Sequence, residues 1–182
     1  MWIPVVIAVL IVLVALYVTL RGRYYARLFS AESFREFHSA LSKAVDVAQH
    51  KPPDQRPSTA DGTGFVTGPG LAVCVTCSKG DDGIQTLHIS LSQARPVTRA
   101  VCSRFGFFAL VMLGDAKGEL TPYFTASGVH HLVFRLQAAT IPLQDFESSL
   151  ARYLTDYKPI PFRYEKLQRT RGSSEPAPGV SV

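Results

Sequence analysis

Three short patterns hold the residues of this sequence that are able to do chemistry. The first pattern is His88 followed two positions later by Ser90, inside a run of alternating apolar and polar residues. Alternate residues of a strand share one face, so an imidazole and a hydroxyl would stand side by side. An imidazole can act as a general acid or base, and a hydroxyl can bind a phosphate oxygen. The pattern therefore gives a candidate catalytic or binding pair.

The fragment Leu87 to Leu91, LHISL, resembles half of the signature of the 2H phosphoesterases, in which two His-x-Ser/Thr strands face each other across a cleft. The resemblance implies a hydrolase with His88 as general acid or base. The second motif is absent, because His131 is followed by Leu132 and Val133 and no hydroxyl stands at the required place. One acid/base residue without its partner leaves the nucleophile or the leaving group unassisted. We therefore favour a protein that is not an enzyme, and keep a tethered phosphoesterase-like hydrolase as the alternative.

Cys74 and Cys77 form the second pattern, a C-x-x-C. In redox proteins such a pair lies at a helix N-terminus, and a zinc site needs two further ligands. Residues three apart in a strand point to opposite faces, so the two sulfurs converge only if the strand has ended by Thr76. We predict ordinary strand cysteines and no cofactor, with a metal-binding module using both thiols as the second alternative.

His130 and His131 are adjacent in a predicted strand and therefore face opposite ways. His130 shares a face with apolar residues and is predicted to be a partly buried structural histidine. His131 shares the other face with Arg135. We predict a binding surface on the solvent-facing side of a sheet, formed by His88, Ser90, His131 and Arg135.

The elements that hold these residues follow a regular order. Two stretches have apolar residues at helical spacing and are predicted helices: 30–49 and 142–154. Four runs are predicted strands: 71–77, 84–92, 120–126 and 129–136. Residues 97–113 fit either one helix or a helix plus a strand, because Gly106 weakens a helix interior by about 1 kcal/mol relative to Ala. The order predicts an α+β fold, a small two-layer domain with an antiparallel sheet and helices on one face.

The N-terminal stretch predicts where this domain sits. Residues 3–20 contain no charged side chain and as a helix would span about 27 Å, close to the hydrocarbon thickness of a bilayer. Trp2 and Tyr24 mark the two ends, as amphipathic rings at membrane interfaces do. Three arginines follow the apolar run: Arg21, Arg23 and Arg27. Cationic residues on this flank predict a single-pass signal anchor in the cell membrane, with the N-terminus outside and the C-terminal domain cytoplasmic.

Two other interpretations of residues 3–20 fit less well. A cleaved signal peptide has basic residues before its apolar run, whereas here they come after it. A helix of a soluble protein seldom lacks a polar stripe, as this run does, so a buried core helix also fits less well. The membrane anchor is therefore the interpretation that we favour.

The predicted organisation has three parts: an anchor with its basic juxtamembrane segment at 1–27, one cytoplasmic domain at 28–165 with a flexible linker at 51–64, and a disordered tail at 166–182. The net charge of +5 is spread thinly, so we expect no nucleic-acid partner. Three cysteines, an odd count, suit a reducing compartment. We expect two partners, the lipid bilayer and another protein, and predict a membrane-anchored, non-catalytic binding or scaffolding module.

Overall fold

The structure is a computed structural model, and it describes residues 2–50, 63–67, 71–93, 98–114, 118–124, 130–136, 140–160 and 163–164. The helices in these ranges are α1 (Ile3–Leu28), α2 (Ala31–His50), α3 (Arg99–Met112) and α4 (Phe146–Asp156). The strands are β1 (Thr63–Thr67), β2 (Leu71–Lys79), β3 (Gln85–Gln93), β4 (Gly118–Phe124), β5 (His130–Leu136) and β6 (Arg163–Tyr164). The predicted α+β class is confirmed.

Helix α1 is a long apolar helix that leaves the domain and continues past the predicted span. Pro4 lies in its first turn, where a missing N–H breaks no helical hydrogen bond. Every residue from Trp2 to Arg23 is exposed. The other end of the same helix enters the core, because Leu28 is 0% exposed. One continuous helix therefore belongs both to the apolar stretch and to the domain.

A short break at Phe29 and Ser30 separates α1 from α2. The Ser33 N–H donates to Ser30 Oγ at 3.3 Å, so Ser30 caps the first turn of α2. The Ser33 hydroxyl donates back to the Arg27 carbonyl oxygen at 2.9 Å. These hydrogen bonds join the end of one helix to the start of the next.

Six strands form one sheet in the order β1-β2-β3-β5-β4-β6. All neighbouring strands are antiparallel except β4 and β6, which are parallel. Strand β1 is not among the predicted strands, and its first residues Thr63 and Gly64 lie in the predicted linker. The rest of that predicted linker, 51–62, lies outside the described residues, as does the predicted tail at 166–182.

The core lies between one face of the sheet and the helices, as predicted. Alternate residues of β2, β3 and β5 are buried on that face: Val73, Val75, Leu87, Ile89, Leu91, Phe134 and Leu136. Helices α2 and α3 cover them with phenylalanines. The ring of Phe34 lies with its centroid 5.1 Å from that of Phe105 and 4.7 Å from that of Phe108. This aromatic layer ties α2 to α3.

Residues 99–112 form one helix, which decides between the two predicted arrangements of this stretch. Gly106 lies within it and is buried, so tertiary packing outweighs its low helix propensity. Thr98 caps the helix, because its Oγ1 accepts a hydrogen bond from the Val101 N–H at 3.4 Å.

Helix α4 begins at Phe146, which is later in the chain than the predicted start at Pro142. Asp145 is the reason, since its Oδ1 accepts from the Ser148 N–H at 3.0 Å and its Oδ2 accepts from the Ser148 hydroxyl at 2.6 Å. These hydrogen bonds from Ser148 hold the pKa of the Asp145 carboxyl below its usual value.

Candidate binding face of the sheet

The face of the sheet opposite the helices is formed by the side chains of every second residue of β2, β3 and β5. We call it the open face, and the described side chains on it are Ala72, Cys74, Thr76, Ser78, Thr86, His88, Ser90, Val133 and Arg135. In β3, these residues alternate with the buried ones, as the sequence pattern predicted. His88 and Arg135 are exposed and Ser90 is half-buried. The sequence therefore builds a polar surface behind an apolar core.

The pairing of β3 with β5 brings the predicted site positions together. Ser90 pairs with His131 and Thr86 pairs with Arg135. Directly paired residues share a face of the sheet, with their Cβ atoms about 4.5–5.5 Å apart. Positions 88, 90, 131 and 135 therefore all belong to the open face. Their role in binding or chemistry stays a prediction.

The two histidine positions of the open face have a near-symmetric relation. His88 pairs with Val133, and Ser90 pairs with His131, so each histidine stands opposite the residue two places after the other. Diagonal neighbours of this kind in a sheet lie about 7–8 Å apart, a distance that one long side chain of a partner could span. Val133, the direct partner of His88 in this register, is 7% exposed, so one of the positions in this group is apolar and buried.

The two cysteines of the C-x-x-C do not meet. Strand β2 runs on past Thr76 to Lys79, so the condition for convergence of the sulfurs is not fulfilled. Cys74 pairs with Ser90 on the open face, whereas Cys77 pairs with Leu87 on the core face. Neither cysteine is in a disulfide. The arrangement does not fit a metal centre held by this pair, and the described residues contain no group of three or more His, Cys, Asp or Glu side chains that could hold a metal ion.

Two further positions with residue types that can do chemistry, 130 and 102, lie on the core side of the sheet. Residue 130 pairs with Leu91 and so has a place on the core face, as alternation predicted. Cys102 of α3 is 0% exposed, and this burial raises the pKa of its thiol. A buried thiol of this kind is chemically inert in the folded state.

A second polar cluster, which the sequence did not reveal, lies where α1 meets the domain. The guanidinium carbon of Arg104 is 4.7 Å from the ring centroids of both Phe29 and Tyr157. Its Nη1 donates to the Tyr153 hydroxyl at 3.1 Å. Burial raises the pKa of that hydroxyl, against the opposing effect of the cation. Arg104 thereby links the end of α1 to α3 and to the end of α4.

No protein-family model, curated protein or solved structure matches this chain. Among the described residues, one helical stretch is long and apolar enough to cross a membrane, and it begins at Ile3. Signal sequences satisfy the same criterion of length and composition. The case for a function therefore depends on the geometry of this chain.

Proposed function

We propose that this protein is a membrane-anchored, non-catalytic module that binds another protein on the open face of its sheet. The observation that carries the proposal is that one chain combines a sheet face that bears exposed polar side chains with an apolar helix whose residues 3–23 are all exposed. His88 and Arg135 are exposed on that face, beside half-buried Ser90. A protein partner supplies the hydrogen bonds and apolar cover that such a mixed surface accepts.

In this proposal residues 3–20 of α1 span the cell membrane once. The side chains of this stretch are exposed in the structure. Because they are apolar, their transfer from water into the hydrocarbon of a bilayer is favourable. Arg21, Arg23 and Arg27 follow the span and favour a cytoplasmic location for everything after it. The N-terminus, with Trp2, then lies on the outer side.

The binding proposal predicts that a double substitution on the open face will release the partner. His88→Ala with Arg135→Ala removes two exposed side chains without touching the core, so retention of the partner should fall by at least tenfold, a typical loss when interface anchors are truncated. The measurement is co-purification of full-length protein from mild detergent, with partners identified and quantified by mass spectrometry.

A matched control removes the same residue types from another surface. His50→Ala with Arg35→Ala breaks two exposed ion pairs, to Asp46 and Glu147, and should leave the partner bound. Equal loss from both double variants would contradict docking on the open face. A stoichiometric partner retained in full by the open-face variant would also contradict it.

A phosphoesterase is the second candidate, and one observation favours it. The strand register gives His88 and His131 positions on one face of the sheet, which a catalytic histidine pair requires. Val133 counts against it, because an apolar side chain stands at the position of the second hydroxyl. The anchored binding module therefore remains the leading proposal.

Hydrolysis of a p-nitrophenyl phosphodiester by the full-length protein separates the two candidates. The leading proposal predicts no turnover that depends on His88. Turnover that falls by about 10²-fold or more in His88→Ala, the usual loss when a general acid or base is removed, would establish the phosphoesterase instead. The double variant of the open face and its control are measured in the same assay.

A further inference from the structure

The last two turns of α1 present three arginines directly after the apolar stretch. We call Arg21, Arg23 and Arg27 the arginine collar; all three are helical and exposed. The chain from Met1 to Ala31 contains no Asp or Glu, and the first acidic residue is Glu32. The collar is therefore a region of positive charge alone.

The collar arginines lie around the helix and not in one stripe. Arg23 and Arg27 are four residues apart and share a side of α1. Arg21 lies on another side, four residues before Tyr25 and seven before Leu28, both of which pack against the core. Cations on several sides of one helix suit a layer of anions that surrounds the helix.

Aromatic rings hold the guanidinium of Arg21 in place. Its carbon is 5.6 Å from the ring centroid of Tyr25 and 6.0 Å from that of Tyr17, and Nη1 donates to the Tyr17 hydroxyl at 3.4 Å. A guanidinium has five N–H donors in a planar fork, so several remain to bind an oxyanion. Because the fork is planar and pre-organised, less entropy is lost for each hydrogen bond that it forms.

Aromatic contacts attach the collar end of α1 to the domain, and the helix itself sets the distance of the collar from the apolar stretch. Tyr25 stacks on Phe29 with centroids 6.0 Å apart, and Phe29 lies 6.3 Å from Phe105 of the core. From Leu20 to Leu28 a helix advances about 12 Å. The headgroup region of one leaflet is about 5–8 Å thick, so Arg21 and Arg23 fall within it. Arg27, about 10 Å from Leu20, lies just beyond it and reaches it with its long side chain.

The described residues supply no counter-charge to the collar. Their ion pairs are Arg35 with Glu147, His50 with Asp46, and Arg152 with Asp156. None of the three collar arginines has a described carboxylate within 4.0 Å. Phosphate is the anion that a guanidinium fork binds best, through two parallel N–H···O bonds.

We propose that the arginine collar binds the phosphates of anionic phospholipids in the cytoplasmic leaflet and so selects the lipid that surrounds α1. The inference rests on the proposed membrane insertion of α1. The ligand is an anionic lipid headgroup, and each arginine near such a surface increases lipid affinity by roughly fivefold.

Native mass spectrometry of the full-length protein tests the collar. The protein is taken from mild detergent that contains equal amounts of phosphatidylglycerol and phosphatidylcholine, and retained lipids are counted. We expect wild type to retain phosphatidylglycerol at least about tenfold over phosphatidylcholine, from the roughly fivefold gain per arginine. In Arg21→Gln/Arg23→Gln/Arg27→Gln the preference should fall below about twofold, because those contributions are gone.

The matched control is Arg35→Gln/Lys43→Gln/Arg152→Gln, which removes three exposed cations of α2 and α4. This control should keep the wild-type preference. The inference would be overturned if wild type showed no preference or if both triple variants lost it equally. Displacement of the lipid by inorganic phosphate would also overturn it, because that result would indicate a site for free phosphate. Extraction with alkaline carbonate distinguishes failure of this inference from failure of the proposed membrane anchor. If the protein stays in the membrane but shows no lipid preference, only the inference about the collar is wrong. If carbonate extracts the protein, the proposed membrane anchor is wrong.

Discussion

Phe34→Ala is expected to destabilise the domain by about 3–5 kcal/mol, a large share of the stability of a small domain. The Phe34 side chain is 1% exposed. Its ring lies 4.7 Å from that of Phe108 and 4.6 Å from that of Tyr153. Its removal leaves a cavity at the point where α2, α3 and α4 meet, and the surrounding rings can fill this cavity only in part.

Alkylation of Cys102 measures this loss of stability in the full-length protein. The thiol is fully buried and becomes reactive only when the domain opens, so its rate of modification in increasing urea reports the free energy of unfolding. Leu154→Ala is the control, because the side chain of Leu154 is 72% exposed and its removal should change the stability by about 0.5 kcal/mol or less. Similar effects of the two substitutions would contradict the described core.

Val9→Arg with Val12→Arg is expected to keep α1 out of the bilayer. The two residues lie near the middle of the apolar stretch, where each arginine costs about 2.5–3.5 kcal/mol of insertion free energy. Most of the mutant protein should then appear in the supernatant after alkaline carbonate extraction, whereas wild type stays in the membrane pellet.

A control with the same added charge uses the end of the apolar stretch that lies next to the domain. Thr19→Arg with Gly22→Arg adds two arginines beside Arg21, and a Cβ at Gly22 meets nothing within 4 Å. This variant should remain in the pellet, since arginine at the interface extends into the headgroup layer at little cost. Extraction of wild type itself would show that α1 is no anchor.

The fold class could be predicted because periodicity is local. The alternation of Leu87, Ile89 and Leu91 with His88 and Ser90 fixed the two faces of β3 before any partner strand was known. The helical spacing of Phe34, Phe37 and Leu41 did the same for α2. These patterns also predicted correctly that Cys74 and Cys77 would lie on opposite faces if the strand continued.

Short edge elements could not be predicted. Strand β1 has five residues and follows a stretch rich in Gly and Pro, and β6 has only two. Neither is long enough to display alternation, and each exists because a neighbouring strand pairs with it. The start of α4 was misplaced for a related reason, since Pro142 and Asp145 both suit a helix start and only the capping hydrogen bonds to Ser148 decide between them.

The candidate site could be predicted in part. Alternation assigns His88, Ser90, His131 and Arg135 to polar faces of their own strands. The register that pairs Ser90 with His131 comes from the antiparallel pairing of β3 with β5, which are far apart in the chain. The Arg104 cluster lay beyond sequence reasoning altogether, because it joins Phe29 to Tyr157 across most of the domain.

Photo-crosslinking from position 88 is the most direct test of the central claim, that the open face of an anchored domain binds a protein. A photoreactive amino acid replaces His88 in the full-length chain in native membranes, and Lys43, exposed on α2, serves as the comparison position. The account predicts one crosslinked protein of discrete mass from position 88, absent from position 43 and from membranes without the protein. The same pattern from both positions, or no crosslinked protein from position 88 in membranes that retain the full-length chain, would contradict it.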